Sequence, residues 1–403
     1  MKIAIACLNL GWQTGGPRLI FSFAQALTRA GHRVKIYAPD YDPATYPELS
    51  RGLEVQKVEI GKEVSWTYRS KNLLSRILEK IEQERTLNLS VRKIAEAMDS
   101  DFDVVNVHDY AYKIAVRYLK RNPRAKIVWT MNDVPYMYMP KKNPLYDLLT
   151  RAYNWGVAQV AEWRYLPKIS YGVVFRDFNV QWLRAHGIQP ILLWPGINAE
   201  TFYARPKTCT VRKSFVLLGV GAFNRYRRYD DIIAAAALLR ERGLNARVLL
   251  ICKDIWNARE DKEEILQKTK VLGMEPYTTF RFEGASEEEL ARVYRESDVF
   301  VAATHIPPPR SGYSWGLALF EAAVAGIPIV LSKYNDAQEA IPGEKGSLLF
   351  SPGEPKELAA QVARLMENPQ LCSTIITYAQ TLVQEKMNWD YYAREFINYV
   401  QKK

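Results

Sequence analysis

Three stretches of the chain carry residue types suited to holding an anionic ligand. The first, NLGWQTGGPRLI (9–20), brings Gly15 and Gly16 to the start of a helical pattern, with Pro17 in its first turn. Glycine lets the backbone approach a ligand closely, and free amides at a helix start favour a phosphate. The stretch is not Gly-x-Gly-x-x-Gly, and the acidic residue a nicotinamide ribose would need is not evident. A tight strand-to-helix turn explains it about as well. The second, GAFNRYRRYDD (221–231), sets Arg225, Arg227 and Arg228 just before a helix. Guanidinium forks at that place suit a diphosphate, while an exposed basic turn would account for two of the three. The third, THIPPPRSGYSWGLALFEAAVAGIPIV (304–330), runs through three prolines to Gly316 and Leu317, then into a helix carrying Glu321. A carboxylate in an apolar helix is costly unless it is paired or held against a ligand's hydroxyls. The plainer alternative is a helix-start carboxylate favoured by the dipole.

Other titratable groups are less directive. Of the four histidines, His32 and His186 lie in glycine-flanked turns and read as exposed and inert. His108 ends the apolar run DVVNV (103–107), and His305 follows DVFVA (298–302) directly. Asp99, Asp101 and Asp103 form two overlapping Asp-x-Asp pairs, a spacing that can hold a divalent ion. They precede a strand rather than end one, so a solvated turn is expected there. Cys7, Cys209, Cys252 and Cys372 have no metal-ligand spacing, and buried thiols in a reducing cytoplasm are the expectation.

These residues need a scaffold, and the chain alternates short β-branched runs with longer amphipathic ones. Strands are expected at 2–7, 33–38, 54–60, 103–107, 126–130, 171–175 and 191–194, then at 214–220, 246–252, 278–284, 298–302, 327–331 and 346–350. Between them lie patterns such as LIFSFAQALTRAG and DDIIAAAALLRERG, closing on Gly31 and Gly243. Continuous apolar strands alternating with helices predict parallel sheets covered on both faces. The expected fold is α/β, with two doubly wound Rossmann-like domains facing a cleft. Residues 194–208 read as a linker. The expected units are 1–200, completed by 388–403, and 201–387.

The length of 403 residues suits two domains, and 48% hydrophobic content supplies large cores. No run approaches 18 uninterrupted apolar residues, so no spanning helix is expected. The net charge is +11, of which +9 falls in residues 1–200. Basic residues cluster at Arg117, Lys120, Arg121, Arg124 and Lys126, and again at Lys141 and Lys142. Such a half suits an anionic substrate or membrane surface; the plain alternative is a solvated face. No zinc-finger, RNA-recognition or basic-heptad pattern is present, so no nucleic-acid partner is expected.

Taken together, these loops resemble the retaining glycosyltransferases of family 4, which have the two-domain GT-B fold. The family's Glu-Gly-Phe-Gly-Leu-Pro-x-x-Glu stretch reads Tyr313-Ser314-Trp315-Gly316-Leu317-Ala318-Leu-Phe-Glu321. Its arginine- or lysine-bearing loop reads Arg227-Arg228-Tyr229-Asp230. DVVNVHDY (103–110) is similar to the strand ending in His-Asp, and Asn388-Trp389-Asp390 to the element before a closing helix that crosses back onto the first domain. The resemblance spans nearly the whole chain. Tyr313 departs from it by replacing the first glutamate, and Asn132, followed by Asp133, stands where a His-Asp pair is common.

The resemblance implies transfer of a sugar from a nucleotide-diphosphate sugar to an acceptor hydroxyl, with retention, no metal and domain closure over the donor. Arg227 would meet the pyrophosphate, Glu321 the ribose, and His108 the sugar or the acceptor hydroxyl. Gly15, Gly16, Arg228, Tyr313, Ser314, Trp315, Gly316, Leu317 and Ala318 would line the donor, with Asn132 and Asp133 on the acceptor side. Tyr313 would bias the donor toward a deoxy sugar, unless Ser314 or Ser311 supplies the missing acceptor, in which case ordinary hexoses remain good donors. The helical stretch 71–85, with Leu74, Ile77, Leu78 and Ile81 on one face, reads first as an ordinary packed helix, since Glu79, Glu82 and Glu84 dilute its polar face. Together with the basic segments 117–126 and 141–142 it also suits a contact with anionic membrane and a lipid-linked or saccharide acceptor. A cytoplasmic protein, peripheral at the membrane, follows. The competing class is a non-transferring protein on the same fold, either an epimerase or an inactive binding subunit.

Overall fold

The computed structural model describes residues 1–11, 15–61, 73–131, 144–254, 258–305 and 316–402. The chain divides into two compact units, Met1–Gly196 with Trp389–Lys403, and Ile197–Asn388.

The first unit is built on seven parallel strands: β1 (Lys2–Ala6), β2 (Arg33–Ala38), β3 (Glu54–Lys57), β4 (Val104–His108), β5 (Lys126–Thr130), β6 (Tyr171–Val174) and β7 (Gln189–Leu192). Their order across the sheet is β3-β2-β1-β4-β5-β6-β7. The second holds β8 (Ser214–Val220), β9 (Asn245–Ile251), β10 (Thr278–Arg281), β11 (Val299–Ala302), β12 (Ile329–Ser332) and β13 (Leu348–Phe350). Their order is β10-β9-β8-β11-β12-β13. Central strands are apolar on both faces, as helix-covered parallel sheets require. Ile3, Ala4, Ile5 and Ala6 are all fully buried, as are Leu217 and Leu218 in β8.

The strand runs expected from sequence all form strands, and the architecture is the doubly wound one anticipated. Boundaries move by a few residues; β7 begins two residues earlier than expected and ends at Leu192, before Trp194. The helix expected over 71–85 continues to Ala97. The stretch read as a linker is not loose. Residues 199–202 form a short helix, Phe202 is fully buried, and Pro206 backs onto Gly326.

Strand order reverses in each sheet between two central strands, β1 and β4 in the first, β8 and β11 in the second. In open α/β sheets the crevice beyond the carboxyl ends at such a switch point is where ligands bind. Four loops are thereby singled out: those after Ala6, His108, Val220 and Ala302.

At the opposite edge of the first sheet, the aspartate triplet is occupied. Asp99 accepts from Lys35 Nζ and the Tyr37 hydroxyl at 3.1 Å each, Asp101 pairs with Lys2, and Asp103 accepts the Lys2 amide at 2.8 Å. These carboxylates tie β1, β2 and β4 together. Among the described residues no cluster of His, Cys, Asp or Glu could hold a metal ion. Cys7, Cys252 and Cys372 are buried free thiols, and Cys209 is half-buried.

The helix Trp389–Gln401 returns to the first unit. Phe23, on the helix Gly15–Arg29, meets Tyr392 and Phe396 edge-on, each at 5.0 Å between ring centres. Lys126 Nζ donates to the Val400 carbonyl at 2.6 Å, satisfying the end of that closing helix.

Gly31 ends its helix at φ +82°, a conformation that strains any residue with a Cβ, whereas Gly156 lies inside a helix with open space around it. Gly31→Ala should therefore destabilise by about 1–2 kcal/mol. Gly156→Ala should stabilise by about 0.5–1 kcal/mol. Thermal unfolding should show opposite shifts of about 2–4 °C per kcal/mol. Shifts of the same sign would contradict the backbone argument.

Candidate active site

Past the end of β8 the chain makes a short turn before the helix Tyr229–Glu241. Asn224 shapes it, its Oδ1 accepting the amides of Tyr226 and Arg227 at 3.0 and 3.1 Å. Arg228 follows in the left-handed region at φ +49°. It is held there by the buried Asp231, whose oxygens accept from Nε at 2.6 Å and Nη2 at 2.7 Å. Asp231 also accepts the Gly353 amide at 2.9 Å. Arg225, on the other side, is paired with Asp261 at 2.7 Å.

Arg227 stands between these two ion pairs and belongs to neither. Its Nη1 donates to the Thr304 hydroxyl at 3.3 Å, and among the described residues no carboxylate pairs with it. Two glycines make room for its guanidinium. A Cβ on Gly221 would lie 3.0 Å from Nε, and one on Gly316 would lie 3.4 Å from Nη1. The result is a packed, cationic group with a neutral partner, at a sheet's switch point.

A shallow recess forms around it, lined by Val220, Arg227, Thr304, Gly316, Ala318 and Asn335 among others. Gly316 precedes the helix Leu317–Val324, which has no side-chain cap among the described residues, so its first amides are available to an anion. Glu321, one turn along, is buried, and its Oε2 accepts the Tyr294 hydroxyl at 2.8 Å. It does not line the recess. His305 is half-buried, with its ring 5.3 Å from that of Tyr334, and burial together with Arg228 lowers its pKa.

In the first unit, His108 closes β4. It is 4% exposed, and burial pushes its pKa down to about 3, so the ring is neutral. Its Nε2 lies 2.8 Å from Asn106 Oδ1. Asp109 follows at φ +46°, a left-handed conformation uncommon outside glycine. The loop after β1 is pinned by Asp40, which accepts the Leu10 amide at 2.6 Å, and Thr45 donates to the Gly11 carbonyl at 3.2 Å. Gly15 and Gly16 open the next helix and are exposed. A Cβ on Gly16 would meet nothing within 4 Å, so packing alone does not demand glycine there.

The structure therefore gathers Arg227, Gly316 and Ala318 into one recess, with Leu317 beginning the helix beside it, and commits Arg228 to Asp231. Asn132, Asp133, Ser311, Tyr313, Ser314 and Trp315 lie outside the described residues. The sequence reading missed Thr304 and Asn335. Asn335 is 1% exposed; its Oδ1 accepts the Ala337 amide, and its Nδ2 has no partner among the described residues. It also missed Tyr294 and Asn106. An Asn set among the three valines of β4 was the available signal for Asn106.

Comparison with known proteins agrees with this geometry. Residues 14–162 match the family model described as glycosyltransferase family 4, and residues 204–382 match that of glycosyl transferases group 1. The chain is 29% identical over 183 residues to an uncharacterised glycosyltransferase of Methanocaldococcus jannaschii, covering 45% of this chain. That alignment spans only 44% of the archaeal protein's own length. Over 413 residues it is 22% identical to a human alpha-1,3/1,6-mannosyltransferase, covering 96% of this chain and 93% of the relative. The fold is that of Anabaena HepE solved in complex with UDP and glucose, with a TM-score of 0.71, 16% identity and 99% of both chains covered.

The depressed His108 has a consequence for stability. Above its ordinary value of 6.5 the ring is neutral in both folded and unfolded chains. As pH falls from 6.5 toward 3, only the unfolded chain takes up the proton, so stability is lost across that window. By pH 5 the loss should reach about 2 kcal/mol. Urea unfolding at pH 7 and pH 5 should show a larger loss for wild type than for His108→Asn. Equal losses would mean that the ring is not desolvated.

Proposed function

The chain belongs to the group 1 glycosyltransferases, the two matched family models together covering roughly four fifths of it, and on that premise we propose that it transfers a glycosyl group from a nucleoside-diphosphate sugar to an acceptor hydroxyl with retention. The observation carrying this reading is Arg227, a guanidinium that no carboxylate pairs among the described residues, beside a helix start that none of them caps. As the bond from the anomeric carbon to the diphosphate breaks, its electron pair passes to the leaving group. Preorganised cations and amides aimed at that charge stabilise the transition state. Arg227 and the amides at Gly316 and Leu317 take this role, with Gly15, Gly16 and Arg228 contributing to the donor's surroundings. That a fold relative holds UDP and glucose supports a nucleotide-sugar donor.

The acceptor oxygen bonds to the anomeric carbon on the face the leaving group vacates, and its proton passes to the departing phosphate. No protein nucleophile is needed. The resemblance assigns Glu321 to the nucleotide ribose, although in the structure its carboxylate is buried beside the recess, with Oε2 accepting the Tyr294 hydroxyl. His108 is assigned to a hydroxyl of the sugar or the acceptor. Because Arg227 supplies positive charge at the diphosphate, the mechanism calls for no divalent ion. Asn132 and Asp133 are assigned to the acceptor side.

A surface of the first unit supports a saccharide or lipid-linked acceptor met at an anionic membrane. The helix Pro144–Val160 buries none of its residues. Leu148, Trp155 and, just beyond it, Trp163 are 63%, 69% and 79% exposed. Lys80 stacks over Tyr153 at 5.4 Å, bringing the helix Leu73–Ala97 and its exposed Leu74 and Leu78 alongside. Aromatic and aliphatic side chains on a positively charged unit suit an interfacial contact. Among the described residues no helix is long and apolar enough to cross a membrane. A peripheral position on the cytoplasmic face fits these features.

Turnover of a labelled nucleotide-sugar panel tests the reading. Product should form only with acceptor present, and chelator should leave the rate unchanged. Donor epimerised without acceptor, or bound and never consumed, would instead indicate a non-transferring protein. Arg227→Ala should lower turnover far more than Arg225→Ala, whose side chain is already neutralised. Glu321→Ala should cost about 1.5–3 kcal/mol, or roughly ten- to a hundredfold.

For the membrane, co-sedimentation with vesicles containing anionic lipid should fall when Leu148, Trp155 and Trp163 are replaced by serine. Binding indifferent to both lipid charge and these residues would remove the proposal.

A further inference from the structure

Strand β4 holds a buried polar residue for which the proposed reaction has no use. Asn106 is fully buried, and its Nδ2 donates to the Val128 carbonyl at 3.1 Å and the Thr130 hydroxyl at 2.9 Å, both on β5. The Val128 carbonyl accepts and never donates, so the carboxamide has one workable orientation. Turning it over would set two carbonyl oxygens against each other in a site closed to bulk solvent. Asn106 Oδ1 is thereby fixed as an acceptor, and it faces His108 Nε2 at 2.8 Å.

That contact is complete only if Nε2 carries a hydrogen. Burial keeps the ring neutral, so it has a single proton to place. With that proton on Nε2, Nδ1 keeps its lone pair. Among the described residues nothing donates to it. The opposite tautomer would oppose two lone pairs at Nε2 and offer a donor at Nδ1.

We propose that Asn106 is a positioning residue: it holds His108 as the Nε2–H tautomer, so that Nδ1 accepts a hydrogen bond from a substrate hydroxyl. The second clause rests on the transferase reading above; the first does not. A hydroxyl that must donate here is then oriented, with its oxygen lone pairs turned away from the ring. His108 acts as an acceptor and orienting group, and the hydroxyl's proton remains with the hydroxyl through this contact.

The test is a long-range 1H–15N correlation spectrum of the full chain, ligand-free and labelled at histidine nitrogen. There are only four histidines, and His108→Gln identifies the resonances of interest. At neutral pH the spectrum should show a protonated Nε2 and an unprotonated Nδ1. Thr130→Val, which leaves the Val128 carbonyl to orient the amide, should keep that pattern. Asn106→Leu, which removes the acceptor, should give a mixture of tautomers and lower kcat roughly tenfold.

A wild-type ring with its proton on Nδ1, or doubly protonated, overturns the proposal. So does an Asn106→Leu protein that folds and keeps both the pure Nε2–H pattern and the wild-type kcat. Should Asn106→Leu not fold, the wild-type spectrum decides alone. Absence of turnover in every form, with the expected spectrum, would count against the transferase reading while leaving the tautomer assignment standing.

Discussion

Asp231 is a buried carboxylate that takes two hydrogens from Arg228 and a third from the Gly353 amide. Buried charges survive only when matched this closely, and removing one partner of such a pair typically costs about 3–5 kcal/mol. The match fixes more than the pair. It holds Arg228 in a left-handed conformation where a β-carbon is strained, and so sets where the chain turns from β8 into its helix. Arg227 is the residue before that turn. With Arg228 neutralised by Asp231 and Arg225 by Asp261, Arg227 keeps the one cationic charge of the three that no carboxylate cancels among the described residues. A cation in that state is unfavourable in the empty protein and favourable once an anion arrives. That asymmetry makes the recess suited to a diphosphate.

The first unit solves a different problem with the same means. A polar residue in the middle of a parallel sheet must find partners from neighbouring strands, because helices cover both faces. Asn106 does so through Val128 and Thr130, leaving one oxygen to be spent on His108. The strand's register places Asn106 opposite Val128 and His108 opposite Thr130. A shift of one residue would exchange the faces to which both side chains point. The state of the ring at the sheet's carboxyl end is thus inherited from pairing two residues earlier.

What was legible in the sequence follows from locality. Strands showed as continuous apolar runs, and helix ends at Gly31 and Gly243 because a left-handed position leaves a mark in one residue. The composition of the loop nominated Arg225, Arg227 and Arg228 alike, and the family resemblance alone singled out Arg227. The loop itself did not show which of the three a carboxylate would claim. The partners that separate them, Asp261 and Thr304, lie 36 and 77 residues away. The same holds for Tyr294 at Glu321, a partner 27 residues earlier in the chain. Asn106 was visible as an anomaly among the valines of β4, yet its meaning required knowing which strand lay beside it.

Charge shows the limit of counting most clearly. The cluster from Arg117 to Lys126 reads as a basic patch, but two of its members are engaged at helix ends. Arg121 donates to the carbonyls of Ala95 and Met98 at 2.6 and 2.8 Å, where the helix Leu73–Ala97 terminates. Lys126 does the same for the closing helix at Val400. Cations at a helix's carboxyl end are stabilised by its dipole and satisfy acceptors that would otherwise lack partners. Donors held in this way are not available to extend toward a lipid headgroup. The positive excess of the first unit therefore overstates what a membrane would feel. A larger share of any interfacial affinity must then come from the apolar side chains along Pro144–Val160 and Leu73–Ala97. Attraction of that kind depends on buried area more than on ionic strength.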